Sequence, residues 1–472
     1  MKMWSGRFRQ PLDPDFERWQ RSFGFDRRLL QYELAASSAH ARALKDAGVL
    51  SASELISILQ GLQQLGAQAA ASPAFLDDNE AEDVHHFVEK KLAALIGETG
   101  YKLHSGRSRN EQIATDLRLY VRAAIDQLRV EIAEWCGVAT DRAEQAGDSA
   151  MPAYTHLQRA EPVLLGHWLM AYVAMFLRDA GRLADCRRRV NVCPLGSGAV
   201  AGATLPLDRK FMAETLGFDD PTSNSIDATS DRDFALEFVN ALSLLALHLS
   251  RWAEEMILFS SQEYGFVVLP EAYSTGSSAM PQKKNPDLLE LVRGKAGRLV
   301  GHATALMITL KGLPLAYNKD LQEAQEALFD SADTMLSMLP LVTGFMKAVE
   351  FNRERMEQAA QSGFTNAWAA ATYLVKRGVP SRLAHERIGK AVQLCLEKDC
   401  ELQDLTLEEL RALDSAFESD FYECLTLHAV LAVHDVAGGT APERVRQAIK
   451  SARTKIESLR EEIHAHAQSD LA

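Results

Sequence analysis

No Cys-x-x-Cys pair occurs in the sequence: its six cysteines, at 136, 186, 193, 395, 400 and 424, stand apart. That spacing excludes a zinc ribbon or a thioredoxin-like motif and leaves buried, reduced thiols in a cytoplasmic protein as the reading. A basic excess is missing as well. With 51 Lys and Arg against 64 Asp and Glu, the net charge of -13 argues against nucleic-acid binding, while a local basic pocket for a small acidic substrate stays open. The longest largely apolar run, VLLGHWLMAYVAMFL (163–177), contains His167 and falls short of the ~20 residues of a membrane span, so no membrane association is expected. The start, MKMWSGRFRQPLD, has no apolar core of a secretory signal. Strand signals are nearly lacking, with GFVVLP (265–270) the best of them.

What the chain does have is helical periodicity. Its 472 residues, 47% hydrophobic and 24% charged, describe a soluble globular protein too long for one core. After HSGRSRNEQ (104–112), apolar residues recur at Ile113, Leu117, Val121, Ile125, Leu128, Ile132, Trp135 and Ala139, close to the helical period. Ser108 and Glu111 form a candidate capping box at the start of this helix, which is expected to exceed ~30 residues against a usual length of ~10–14. A second segment, 223–264, runs without Gly or Pro, and its part FALEFVNALSLLALHLSRWAEEMILF is apolar almost all round, the mark of a helix buried on most sides. A third begins at Asn285-Pro286-Asp287, with Asn285 as the N-cap candidate and Pro286 at the first helical position. Gly294, Gly297 and Gly301 within it predict close approach of another helix. The fold expected is all-α: an N-terminal helical domain over 1–105, an elongated central bundle over 106–350 and a C-terminal helical domain over 351–472. Helices apolar on more than one face point to packing between subunits.

Five motifs bear on the chemistry. PLGSGAVAG (194–202) has no strand before it and no lysine after it, so a nucleotide loop is disfavoured. In EDVHHFVEKKL (82–92), adjacent histidines on a helix point apart, which speaks against a metal site and leaves His85 facing a pocket. In HSGRSRNEQ, Ser108, Arg109 and Asn110 enter a helix N-terminus, a place for a carboxylate or phosphate; a capped helix with a solvated arginine is the alternative. MPAYTHLQRAEP (151–162) puts Thr155 and His156 in a turn between helical stretches, where the histidine is a structural residue or a proton donor. Finally, STGSSAMPQKKNPDLLE (274–290) joins Gly276 and Ser277 to Lys283 and a helix start. Such a loop can stabilise negative charge on a substrate oxygen and help a serine lose its proton. No Gly-x-Ser-x-Gly elbow surrounds Ser277, so a hydrolase triad is not indicated. The set suits proton removal beside a carboxylate followed by loss of a leaving group.

GSSAMPQKKNPD resembles the signature loop of the fumarase/aspartase superfamily. WSGRF, HSGRSRNEQ, YTHLQRAEPVLLGH, NSIDATSDRDF, YNKDLQEAQEALFD and GGTAPE, in order along the whole chain, narrow the likeness to the argininosuccinate lyase family. The resemblance implies cleavage of argininosuccinate to arginine and fumarate without a metal or organic cofactor. It also implies a homotetramer around a twenty-helix core, with each active site built from three subunits. By motif, Ser277 matches the base, Lys283 and Asn285 the groups that hold the aci-carboxylate, and His156 the histidine of the acid side with Glu290 as its carboxylate partner. Ser22, Asp26, Ser108, Arg109, Asn110, Thr155, Tyr317 and Gln322 match substrate contacts, and His85 a further pocket histidine.

The chain departs from the family pattern at several places. Ala324-Gln325 stands where the family usually has Asp-Lys, and that lysine is a substrate contact. Trp368-Ala369 replaces Thr-Asp, Glu161 and Trp168 replace Gln and His, and the arginine common before Gly438 is missing. The change at Gln325 motivates a second reading, a superfamily lyase acting on a different N-succinyl compound. A third, a non-catalytic structural protein like the lens crystallins of the family, is opposed by the presence of Ser277, Lys283, His156 and Glu290.

Overall fold

The computed structural model describes residues 9–469, and side chains up to residue 466. The WSGRF stretch (4–8) lies outside the described residues. The chain is helical almost throughout, as expected. Helices α1 (Leu30–Asp46), α2 (Ala52–Ala71) and α3 (Val84–Ile96) pack together at the N-terminal end. The bundle consists of α4 (Arg109–Ala146), α5 (Leu165–Val190), α6 (Asp233–Ser260), α7 (Asp287–Leu310) and α8 (Glu323–Ala348). Near the C-terminus, α9 (Ala367–Lys376) and α10 (Ser381–Lys398) stand apart from the bundle core, whereas α11 (Pro442–Ser469) lies against α4 and α5.

Local chemistry starts the 38-residue α4. The Ser108 hydroxyl accepts the Asn110 N–H at 3.2 Å, the Glu111 carboxylate accepts the Ser108 N–H at 3.0 Å, and both halves of the capping box are made. Gly147, at φ +56, ends the helix. The second Glu111 oxygen takes the Gly198 N–H at 2.9 Å, so PLGSGAVAG is a structural loop fastened to the start of α4.

A ring series runs through the bundle: Trp135 meets Phe176 at 4.2 Å and Trp252 at 6.0 Å, and Trp252 meets Phe345 at 5.7 Å. All four are fully buried and belong to one continuous core that reaches from Phe23 to Ile463. Leu374, Ile388, Cys395, Leu402, Phe417 and Phe421 form a separate small core. Of the described helices, α6 alone is long and apolar enough to cross a membrane by composition, and Phe238, Leu242, Leu249 and Trp252 instead bury it in the bundle.

Four local expectations are corrected. The segment 223–264 is two helices, Ser225–Ser230 and α6, separated at Asp231-Arg232, where the Asp231 carboxylate accepts the Asp233 N–H at 2.7 Å. Asn285 does not cap α7; it pairs with Thr275 in a short antiparallel strand, and Pro286 precedes the helix without a side-chain cap. The stretch 150–164 is an antiparallel hairpin, Ala150–Thr155 with Gln158–Leu164, rather than a turn between helices. Gly294, Gly297 and Gly301 have no atom within 4 Å of a would-be Cβ, so among the described residues no helix fills the approach their spacing predicts.

Candidate active site

A cleft of about 130 Å³ lies between the N-terminal helices, the start of α4 and the segment before α8. Its walls include Ser22, Asp26, His85, Arg109, Asn110, Tyr317 and Gln322, seven of the residues singled out in the sequence. A roomier hollow of about 320 Å³, from Pro162 to Val430, has no ionisable side chain besides Tyr422 and offers less chemistry.

The cleft is built from helix starts. Asp83 caps α3 by accepting the His86 N–H at 2.7 Å, which turns His85 inward, while His86 accepts the Glu82 N–H and faces another groove. Arg109, in the first turn of α4, reaches Asp83 at 3.0 Å and Glu82 at 3.3 Å. Asp26 accepts the Ser22 hydroxyl at 2.6 Å and the Val84 N–H at 3.0 Å. Gln322 donates to the Gln20 carbonyl at 3.2 Å, which holds the segment before α8 over the cleft.

Burial sets unlike charges on similar groups here. Burial and the neighbouring Asp83 push the Asp26 carboxyl up to about 7. Burial would raise Glu33 too, but Arg107 and His85 hold it down to about 2. Burial alone would lower His85, yet Glu33, Asp83 and Asp26 raise it above its ordinary value. Asp116, fully buried beside Glu33, is pushed well above the carboxylate range. The Glu33, His85 and Asp116 ligand atoms lie within 4.8 Å of one another. Serine and amide donors already fill Glu33, at 2.6 Å from Ser37 and 3.1 Å from Gln112, so the group reads as a proton-sharing network rather than a cation cage.

Several cleft residues escaped the sequence reading. Lys319 sits on the rim two residues after Tyr317, and Glu82 and Asp83 line the wall. Outside the cleft lining, Arg232 is buried, has no partner for its Nε among the described residues, and interacts electrostatically with the cleft residue Tyr317; burial brings it down to about 10. Its only sequence signal is the NSIDATSDRDF motif. Gln325, a departure from the family pattern, is 4% exposed, lines the cleft and has an Oε1 without a partner among the described residues.

The remaining predicted residues lie elsewhere. Ser108 is the cap of α4. Thr155 and His156 are exposed at the hairpin tip, where Thr155 pairs with Gln158 and the two intervening residues have φ +54 and +57. Those angles make a two-residue turn of the hairpin type, in a conformation that a histidine adopts rarely. Ser277, Lys283, Asn285 and Glu290 lie along 277–290, where Lys283 and Glu290 are exposed. The pairing of Gly276 with Lys284 places Ser277 and Lys283 at the two ends of one loop. The Ser277 Oγ accepts the Ala279 N–H at 3.3 Å and the Met280 N–H at 3.1 Å. Among the described residues, no hydrogen bond or ion pair joins His156 to Glu290, or either of them to the cleft.

Residues 6–301 match the lyase family, and residues 364–432 match the argininosuccinate lyase C-terminal family. The chain is 59% identical to the argininosuccinate lyase of Koribacter versatilis over 99% of its own length and 100% of that protein's. It is 56% identical to the argininosuccinate lyase of Acidobacterium capsulatum, over 100% of this chain and 97% of that one. Among solved structures it superposes on an EDDS lyase in complex with formate, with a TM-score of 0.83 at 26% identity, covering 98% of this chain and 94% of that one.

Proposed function

The chain belongs to the argininosuccinate lyase family, and from that premise we propose how it eliminates fumarate from argininosuccinate to leave arginine. In the elimination, a proton leaves the succinyl carbon, its electron pair forms the new double bond, and the carbon–nitrogen bond breaks as the guanidino nitrogen is protonated. The observation that carries the reading is Ser277. Two backbone N–H groups point at its Oγ, so negative charge on that oxygen is stabilised as the proton is taken. Lys283, at the other end of the same loop, and Asn285 hold the aci-carboxylate that results. His156, with Glu290, supplies the proton to the leaving nitrogen.

Ser22, Asp26, His85, Arg109, Asn110, Tyr317 and Gln322 contact the substrate in the cleft, whose mixed charges suit a molecule with both carboxylate and cationic ends. Ser108 and Thr155 complete the contact set. The hairpin tip and most of the serine loop are exposed in one chain, which fits a working site completed by other subunits, three of a homotetramer as the family resemblance implies. Exposed apolar side chains on neighbouring bundle helices support this: Leu247 on α6, Leu291 and Ile308 on α7, and Leu341 on α8. The reaction calls for no metal or organic cofactor, no nucleic acid and no membrane. The six cysteines are unpaired and four of them are buried, which fits the reducing cytoplasm.

Gln325 favours a second reading, an N-succinyl substrate other than argininosuccinate, since a neutral amide lines the cleft where the family pattern has a lysine. Fumarate release, followed by its ultraviolet absorbance, tests both readings. Argininosuccinate is expected to yield fumarate with the wild type, and Ser277→Ala to lower kcat by about 10²–10⁴-fold, the range for loss of a general base. Fumarate from other N-succinyl amines but not from argininosuccinate moves the assignment to the second reading.

A further inference from the structure

Resting on that reading, we propose that Glu33 is a positioning residue for the reaction: it fixes His85 so that one ring nitrogen is presented to the bound substrate. The Glu33 Oε2 lies 2.9 Å from His85 Nδ1. Both side chains are nearly inaccessible, at 1% and 5% exposure. The other ring nitrogen, Nε2, is buried and has no partner among the described residues, although His85 lines the cleft. A buried ring N–H without a partner is costly, so the substrate supplies the missing acceptor. An oxygen of a substrate carboxylate is the fitting class, because a charged imidazolium donor is worth most against an anion.

Glu33 is itself held from three sides. Ser37 donates at 2.6 Å, Gln112 at 3.1 Å, and Arg107 stands 3.7 Å away. With Nδ1 taken by this carboxylate, the ring cannot turn or change tautomer. The groups facing His85 come from every neighbouring element: Asp26 before α1, Glu33 in α1, Asp83 at its own helix start and Asp116 in α4. Arg107, in the segment leading into α4, and Arg109, in its first turn, offset them, while burial and these arginines push the neighbouring His104 down to about 4 and leave it uncharged. Glu33 is the one carboxylate in direct hydrogen-bond contact with the ring; Asp116 is 3.7 Å off. It therefore both aims the imidazole and keeps it protonated.

Glu33→Gln keeps the shape and the acceptor for Nδ1 while removing the charge, and it lets the Ser37 hydroxyl and the Gln112 amide reorient. KM and kcat for argininosuccinate are measured from about pH 6 to about pH 8.5, the range over which an unassisted histidine loses its proton. The expectation is a KM raised about 10–100-fold, as for loss of an orienting partner. KM rises with pH more steeply in the variant than in the wild type. Adding Glu33→Gln to His85→Gln is expected to change little, since the carboxylate acts through the ring. Ser37→Ala, which loosens Glu33 without removing its charge, is expected to show a smaller, pH-independent rise in KM, and it carries the test if Glu33→Gln does not fold. A pH-independent loss in Glu33→Gln, or full additivity with His85→Gln, overturns the proposal while leaving the lyase reading intact. Silence of the wild type in the same assay overturns both.

Discussion

Asp26 and Glu33 lie within ten residues of each other, both are buried, and they titrate in opposite directions because of what faces them. Asp26 faces another carboxylate, Asp83, whereas Glu33 faces Arg107 and His85. The consequences for stability have opposite signs. Asp26 is raised to about 7 in the folded state, so its protonated form contributes stability that is complete below its unfolded value and is lost as pH rises through about 7. Glu33, held down to about 2, contributes stability above its unfolded value that is lost as pH falls toward 2. Asp26→Asn keeps an acceptor for the Val84 N–H and cannot ionise. Its melting temperature is expected to exceed that of the wild type at about pH 8 and to match it near pH 4; an equal gap at both pH values contradicts the assignment. The gain comes at the expense of activity, because Asp26 lines the cleft. At this scale the sequence reading collected seven cleft residues but neither Lys319 nor the buried Arg232 that interacts with Tyr317. An arginine in a soluble helix boundary and a lysine in a loop look solvated until burial is known.

Helix α4 positions more of the site than any other element: Arg109 and Asn110 in its first turn, Gln112 and Asp116 one and two turns on. Its start was readable because a capping box is a local pattern, in which Ser108 and Glu111 satisfy backbone groups three residues apart. Glu111 also fastens the 194–202 loop through the Gly198 N–H, a contact no local pattern reveals. Glu111→Ala leaves the Ser108 and Gly198 N–H groups without their acceptor. It is expected to cost about 2–4 kcal/mol, seen as a lower urea midpoint; a change within error would mean that water replaces the carboxylate. The hairpin at 150–164 was hidden for a physical reason. Pro152 and Pro162 sit opposite each other and neither can donate to the ladder, so the stretch does not read as strand. Asn285 fails as a cap because its backbone is engaged in pairing with Thr275, which is what places Ser277 and Lys283 at the ends of one loop.

The single chain leaves an apolar surface on α7 that suits packing against a further helix. Leu291 and Ile308 on α7 are 61% and 60% exposed, and the glycines between them meet nothing within 4 Å. Large exposed apolar side chains beside small ones let another helix come close. Ile308→Glu is expected to shift the protein to smaller species in size-exclusion chromatography with light scattering, with helicity retained and fumarate release lost. Unchanged mass and activity would remove α7 from the interface. If sites are shared, mixing Ser277→Ala and His156→Ala subunits restores part of the activity that each lacks alone, because some sites then combine an intact serine with an intact histidine.

The order of motifs along the chain, the helical period and the capping box were determined by sequence alone, since each depends on residues within a few positions of one another. Membership of the family rests on the same footing, because the motifs are linear. Which residues share a cleft was decided by tertiary structure: Asp26, His85, Arg109 and Tyr317 come from distant segments and meet only when α1, α3, α4 and the segment before α8 pack. The charge on Glu33, Asp26 and Asp116 was likewise out of reach of sequence. The protonation of a buried carboxylate depends on which cation or carboxylate the fold brings within a few ångströms of it, and that distance is a property of packing.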